Sequence, residues 1–151
     1  MSERDSIDWR TLNVKRNRRH EALVERFCPK EAAQEPVFRY IKDLMVFAAI
    51  LGYSSGKKEE IDGSETIPIT LQTYSTDRKD YYIYLIALAH SKDPQIVQND
   101  RLIEAVEIYE EFCNGGLALI DRWLEENPRD PNGISTLFAK INERFFDFLN
   151  E

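Results

Sequence analysis

The spacing of apolar residues along the chain predicts a mainly α-helical protein. Apolar side chains recur at steps of three and four residues in five segments, which is the pattern of helices that bury one face. These segments are 18–27, 36–51, 77–90, 102–124 and 134–148. Pro36 suits the first turn of the second helix, and Gly52 is placed to end it in a left-handed conformation.

Two features of the central segments bear on packing. The third helix, which we expect Asp77 to cap, is apolar nearly all round and is predicted to lie at the centre of the core. In the fourth segment Asn114, Gly115 and Gly116 interrupt the pattern. The glycine pair either caps one helix or lets two helices approach closely within a longer one.

One segment changes period. Polar and apolar residues alternate from Thr66 towards Tyr74, as in a half-buried strand, and Pro68 favours an edge position. The strand needs a partner for its backbone groups. Residues 57–61 or the same strand of a second copy are the two candidates. The predicted fold class is therefore mainly α, a compact bundle of about five helices with one short β element, an edge strand or hairpin near residues 57–74.

The length and composition predict one domain over residues 1–151, with residues 1–13 as a loose lead-in. We expect Trp9, Leu12 and Val14 to dock onto the body. No apolar run approaches the roughly 18 residues that cross a bilayer. The first residues are charged where a signal peptide is apolar. Two cysteines allow at most one disulfide, so we expect a cytoplasmic protein.

Charge is unevenly distributed along the chain. The net charge is −7; residues 1–60 hold 12 Lys and Arg against 10 Asp and Glu, and residues 61–151 hold 8 against 17. The acidic second part disfavours a broad surface for wrapping DNA. Lys15, Arg16, Arg18 and Arg19, followed by His20, form a local basic segment. It is either a phosphate-binding arm or, as we favour, the solvated face of a helix.

Candidate chemistry is sparse. A nucleophilic triad needs a histidine, and only His20 and His90 are available. Cys28 and Cys113 lie among apolar residues, where thiols are usually inert. Four acids of the fourth helix form either a cation site or, as we favour, a solvated acidic face; they are Glu104, Glu107, Glu110 and Glu111. We therefore expect no catalytic residues, no metal and no cofactor.

The last helix raises the question of assembly. Its stripe of apolar and aromatic residues suits core packing, but its terminal position also suits contact with another subunit. We predict a homodimer or higher oligomer, formed through the strand 66–74 or the helix 134–148. The competing interpretation is that residues 57–61 supply the second strand and the last helix closes the core.

Four blocks of sequence resemble a known bacterial family. They are Tyr40-Ile-Lys-Asp-Leu-Met-Val-Phe-Ala-Ala-Ile-Leu-Gly-Tyr, Ile67-Pro-Ile-Thr-Leu-Gln-Thr-Tyr, Asp80-Tyr-Tyr-Ile-Tyr-Leu-Ile-Ala-Leu-Ala-His and Glu107-Ile-Tyr-Glu-Glu-Phe-Cys-Asn-Gly-Gly-Leu. In this order, over residues 37–124, they resemble the small proteins associated with DNA phosphorothioation (Dnd) systems, of the "protein 4" type. The resemblance implies a bacterial accessory factor of a DNA-modification and restriction system for antiviral defence, and carries over no catalytic residues.

Two functions follow as expectations. The first is a non-enzymatic accessory or adaptor protein that binds protein components of a DNA sulfur-modification and restriction system, with no membrane contact. The alternative is a dimeric DNA-binding regulator, in which Lys15, Arg16, Arg18 and Arg19 contact phosphates. A mobility shift at two salt concentrations distinguishes them.

Overall fold

The computed structural model describes residues 8–31, 35–63 and 65–151, and over these it has the mainly α-helical fold with a short β element that the sequence predicts. The elements in chain order are β1 (Asn13–Asn17), α1 (Glu21–Phe27), α2 (Ile41–Ser55), β2 (Thr66–Thr70), α3 (Leu71–Ser75), α4 (Asp80–Ser91), α5 (Leu102–Glu125) and α6 (Ile134–Leu149). Short 3₁₀ turns at Trp9–Thr11, Arg18–His20, Pro94–Val97 and Asn99–Arg101 connect them. In the part of the chain so described, no helix is long and apolar enough to cross a membrane.

Helices α2 and α5 form the centre of the fold and cross at a very short distance. A Cβ atom on Gly116 would overlap the backbone carbonyl of Ala48, and one on Gly52 would overlap that of Phe112. Helix α5 runs unbroken through Gly115 and Gly116. The glycine pair therefore serves close helix packing, which is the second of the two alternatives that the sequence left open.

The end of α2 differs from the prediction. Gly52 does not end the helix, because it is needed at the crossing with α5. The helix continues to Ser55 and ends at Gly56, whose φ of 63° is the left-handed conformation that glycine adopts readily. At the other end α2 begins at Ile41 rather than near Pro36.

Strand β2 pairs antiparallel with β1, so that Val14 lies opposite Ile69 and Asn17 opposite Thr66. The prediction that residues 57–61 supply the partner is therefore wrong, and the pairing that the strand needs is provided within one chain. The basic segment itself supplies the partner strand. The sequence did not indicate this pairing because β1 is only five residues long and far from its partner in the chain; even the nearest pair, Asn17 and Thr66, is 49 positions apart.

The alternating segment is also shorter than predicted. Strand β2 ends at Thr70, whose side chain accepts a hydrogen bond from the Thr73 backbone N–H and so caps α3. Leu71 and Tyr74, three residues apart, then lie on one helical face and are both fully buried. A single turn of helix gives too few residues for its period to show in the sequence.

The N-terminal lead-in is attached to the body over the residues that the structure describes. Trp9 and Leu12 pack against the core and Val14 is fully buried, as predicted. The Leu12 carbonyl also accepts a hydrogen bond from the Leu71 N–H. Residues 1–7 lie outside the described residues.

Helix α4 lies at the edge of the core, and the prediction that it is central is wrong. Only Ile83, Ile86 and Ala87 are buried. Asp77 does not cap it either, because its carboxylate pairs with the Lys42 ammonium at 3.0 Å. The helix begins three residues later, at Asp80.

Candidate functional site

Arg16, one of the four residues predicted to contact phosphate, points into the protein. Its neighbour Val14 is buried on the same side of β1, because alternate residues of a strand share a face. Arg16 is 3% exposed, and its Nε and Nη2 atoms donate to the Glu21 carboxylate at 3.2 and 3.1 Å. Its guanidinium group is therefore committed to an internal ion pair and is not presented to a ligand at the surface.

The other three basic residues lie at the surface. Arg18 lies 3.6 Å from a carboxylate oxygen of Glu65, and Arg19 forms an ion pair with Glu59. The Lys15 side chain is exposed. A phosphate group would have to compete with the carboxylates for both arginines, which weakens the electrostatic gain from binding nucleic acid.

A buried polar cluster ties this segment to the loop after α2. The Asn17 N–H donates to the Asn114 side-chain carbonyl at 2.7 Å, and the Asn17 amide donates to Glu59 and to the Glu60 carbonyl at 3.0 and 2.9 Å. His20 lies 2.5 Å from the Glu59 carboxylate and is 3% exposed. Most of these groups bond to one another within the protein, so we assign the cluster a structural role; the exception is His20 Nδ1, which has no hydrogen-bond partner and lies 3.6 Å from the Asp121 carboxylate.

Glu110 corrects the prediction of a fully solvated acidic face on α5. Glu104 and Glu107 are exposed, but Glu110 is only 5% exposed and accepts a hydrogen bond from the Lys15 N–H at 2.5 Å. Burial raises the pKa of the Glu110 carboxyl from 4.5 to about 7. This carboxyl group holds β1 against α5.

The two cysteines are unsuited to nucleophilic chemistry. Burial raises the pKa of the Cys28 thiol to about 11 and that of the fully buried Cys113 thiol still further. Both are protonated at neutral pH, whereas the thiolate is the nucleophile. Among residues 8–31, 35–63 and 65–151, no group of three or more His, Cys, Asp or Glu is placed to hold a metal ion.

A cavity of about 700 Å³ lies between the start of α2 and the α3–α4 turn. Lys42, which is buried, is one of the residues that line this cavity. The Lys42 ammonium donates to the Thr73 carbonyl and the Thr76 hydroxyl at 3.0 and 2.9 Å and pairs with Asp77. Its three N–H groups are therefore used within the chain, and the cavity gives no clear indication of a ligand.

Helix α6 exposes a continuous apolar face, which we call the α6 face. Its members are Ile134, Phe138, Ile141, Phe145, Phe146, Phe148 and Leu149, and they are 43–70% exposed. Only Thr136 and Leu137 of this helix are buried. The competing interpretation, in which the last helix closes the core, is therefore wrong, and the aromatic stripe is exposed in the single chain.

The start of α6 determines which face points outwards. Gly133 is in a left-handed conformation with φ of 80°, and a Cβ atom there would press on the Phe27 ring. The Asp130 carboxylate accepts hydrogen bonds from the Thr136 N–H and hydroxyl, both at 2.8 Å. With this turn fixed and Leu137 in the core, the opposite side of the helix is left exposed.

The charged residues of α6 lie towards the body. Arg144 stacks over the Trp123 ring at 5.6 Å. Lys140, Glu143 and Asp147 line the groove beside it. The charged side of α6 thus borders the groove next to the body while Glu143, Arg144 and Asp147 stay exposed, and the apolar side is not the one that packs on the core.

A second exposed apolar strip lies on α4, and we call it the α4 face. It consists of Tyr81, Leu85 and Leu88, which are 61%, 59% and 36% exposed. Their spacing of four and three residues places them along one side of the helix. Arg78 and Lys92 are exposed at its two ends.

The apolar pattern marks both helices in the sequence, but it placed α4 in the core and left α6 open between core packing and contact with another subunit. Apolar periodicity shows that a helix has an apolar side. It does not show whether the same chain covers that side.

Comparison with known proteins identifies the family. No curated protein and no solved structure matches the chain. A family model described as DNA sulphur modification system-associated protein 4 matches residues 13–146, which include β1 and most of α6. This match covers the larger part of the chain, so the protein belongs to the family of DNA sulphur modification system-associated protein 4.

Proposed function

We propose that the protein is a non-enzymatic adaptor of its DNA sulphur modification system, and that the α4 face binds a protein component of that system. The observation that carries the proposal is the strip of Tyr81, Leu85 and Leu88 at the surface. A small apolar centre that contains a tyrosine and has a charged rim is typical of interfaces between different proteins. Because the family is associated with a DNA sulphur modification system, we expect the partner to be a component of that system.

The ends of α4 support the same proposal. Arg78 and Lys92 have φ values of 64° and 58°, which lie in the left-handed region that residues other than glycine adopt at a cost in free energy. Glycine would fit both positions with less strain. The two exposed positive charges at the ends of the strip favour a partner whose apolar groove has an acidic rim.

A substitution on the α4 face tests the proposal. We expect tagged full-length protein from its native host to co-purify with a component of the modification or restriction machinery, identified by mass spectrometry. Leu85→Glu should reduce this recovery at least about tenfold, because a buried unpaired charge is unfavourable at an interface. The variant should fold normally, since Leu85 is 59% exposed.

The matched control is Ile50→Glu, an equivalent change at an exposed apolar residue of α2. It should leave co-purification unchanged. Recovery of no modification or restriction component with the native chain would refute the adaptor proposal. Equal recovery by Leu85→Glu would refute the assignment of the α4 face.

The alternative of a DNA-binding regulator leads to a separate expectation. Because Arg16 is internal and Arg18 and Arg19 are paired with carboxylates, we expect no DNA mobility shift that depends on these residues. Native protein and an Arg18→Ala, Arg19→Ala double variant should behave alike at 50 and 200 mM salt. A shift that is lost in the variant and weakens steeply with salt would instead favour the regulator.

A further inference from the structure

We propose that the α6 face is the interface of a homodimer, in which the α6 helices of two copies pack antiparallel across a two-fold axis. The proposal is independent of the adaptor function, because it concerns a different face of the molecule.

The α6 face is large enough to form an interface. Its four phenylalanines, 56–70% exposed, present together roughly 500 Å² of apolar surface. With the two isoleucines and the leucine added, the face approaches the ~800 Å² that each partner buries in a standard interface. Exposed patches of typical monomers measure about 300–600 Å². The α6 face is thus large enough for a stable dimer, whereas the three residues of the α4 face are not.

The distribution of charge also favours α6 as the place where two copies meet. Each copy carries a net charge of −7, so two copies repel unless they meet where charge is absent. The α6 face contains no charged residue. The charges of the helix lie on its other side and balance, two positive and two negative; they are Lys140, Arg144, Glu143 and Asp147. Two identical acidic chains can therefore meet at α6 without placing like charges together.

The distribution of large side chains along α6 favours an antiparallel orientation of the two helices. The C-terminal half of the α6 face carries three aromatic rings, those of Phe145, Phe146 and Phe148, whereas the other half carries only the ring of Phe138 with two isoleucines. Antiparallel packing places the bulky half of each helix opposite the smaller half of its partner, which favours close packing. It also opposes the two helix dipoles. A parallel pair would instead crowd the six rings of the two C-terminal halves against one another.

Sedimentation equilibrium tests the dimer with the full chain. We expect a mass of twice 17.7 kDa at micromolar concentration. Phe145→Glu and, separately, Phe138→Glu should each give a monomer with an unchanged circular dichroism spectrum, because both side chains are more than half exposed. Leu85→Glu, on the α4 face, should remain dimeric. A native chain that is monomeric at 100 µM would overturn the proposal, and the α6 face would then be exposed for binding to a different protein.

Cross-linking tests the orientation without disturbing the face. Asn142 lies near the middle of α6 and Ser135 two turns before it, and both are exposed. In an antiparallel pair centred on the α6 face, Asn142→Cys lies near its symmetry mate, and Ser135→Cys lies roughly 20 Å from its own along the helix axis. We expect oxidation to link only Asn142→Cys, since the native cysteines are buried. Linkage of both variants would indicate parallel helices, and linkage of neither would contradict the dimer.

Discussion

Replacing Gly116 with alanine is expected to destabilise the protein by about 2 kcal/mol, and so to lower its melting temperature by about 4–8 °C. The added methyl group would overlap the Ala48 carbonyl of α2, which is backbone and cannot turn aside as a side chain can. Alanine is favoured over glycine within a helix by about 1 kcal/mol, so the steric effect must exceed this gain. Thermal unfolding followed by circular dichroism measures the difference.

Gly63→Ala is the control for Gly116→Ala, because a Cβ atom on Gly63 meets nothing within 4 Å. Its melting temperature should stay close to that of the native chain. A Gly116→Ala variant as stable as the control would show that α2 and α5 can separate without loss, which contradicts the close crossing.

Replacing Glu110 with glutamine is expected to stabilise the protein at pH 8 and to have little effect at pH 5. The folded state raises the pKa of this carboxyl group from 4.5 to about 7, so folding binds a proton between these values and stability falls as the pH rises through that window. The free energy of unfolding of the native chain therefore falls by up to about 3 kcal/mol by pH 8, because each tenfold change in an equilibrium constant corresponds to about 1.4 kcal/mol. Glutamine has no charge to bury, and its carbonyl can still accept the Lys15 N–H.

Urea unfolding of both chains at pH 5, 6, 7 and 8 gives the difference in free energy as a function of pH. Glu125→Gln, which removes an exposed carboxylate near the end of α5, is the control and should follow the native chain throughout. A constant difference between Glu110→Gln and the native chain across this range would contradict the assignment.

The helices were predictable because each has an apolar face that recurs with the helical period. The predicted segments overlap α2, α4, α5 and α6, most closely for α5 and α6, and the mainly α class follows from them. The residues at which the helices begin and end were less predictable. Gly52 is a suitable helix end by local criteria, but its lack of a side chain is used for packing against α5, and the helix ends at Gly56 instead.

The β element shows why a strand pairing is harder to infer than a strand. The alternation from Thr66 indicates a half-buried strand, and Pro68 an edge, from local information alone. The partner is set by which distant segment reaches it in the folded chain. Here that segment is β1, whose basic residues suggested a solvated helix or a phosphate arm. Strand geometry then buries Arg16 and exposes Lys15, so the pairing also decides which cations face solvent.

The sequence by itself determined the helical class, the apolar side of each helix, the strand at Thr66 and the resemblance to proteins of DNA phosphorothioation systems. These properties depend on local periodicity and on residue identity. The tertiary structure alone decided that the α4 and α6 faces lie outside the core, that Glu110 lies within it and that β1 pairs with β2. The physical reason is that burial depends on which surfaces the rest of the chain covers. In α6 the turn at Gly133 and the anchor at Leu137 direct the charged side towards the body and the aromatic side towards solvent.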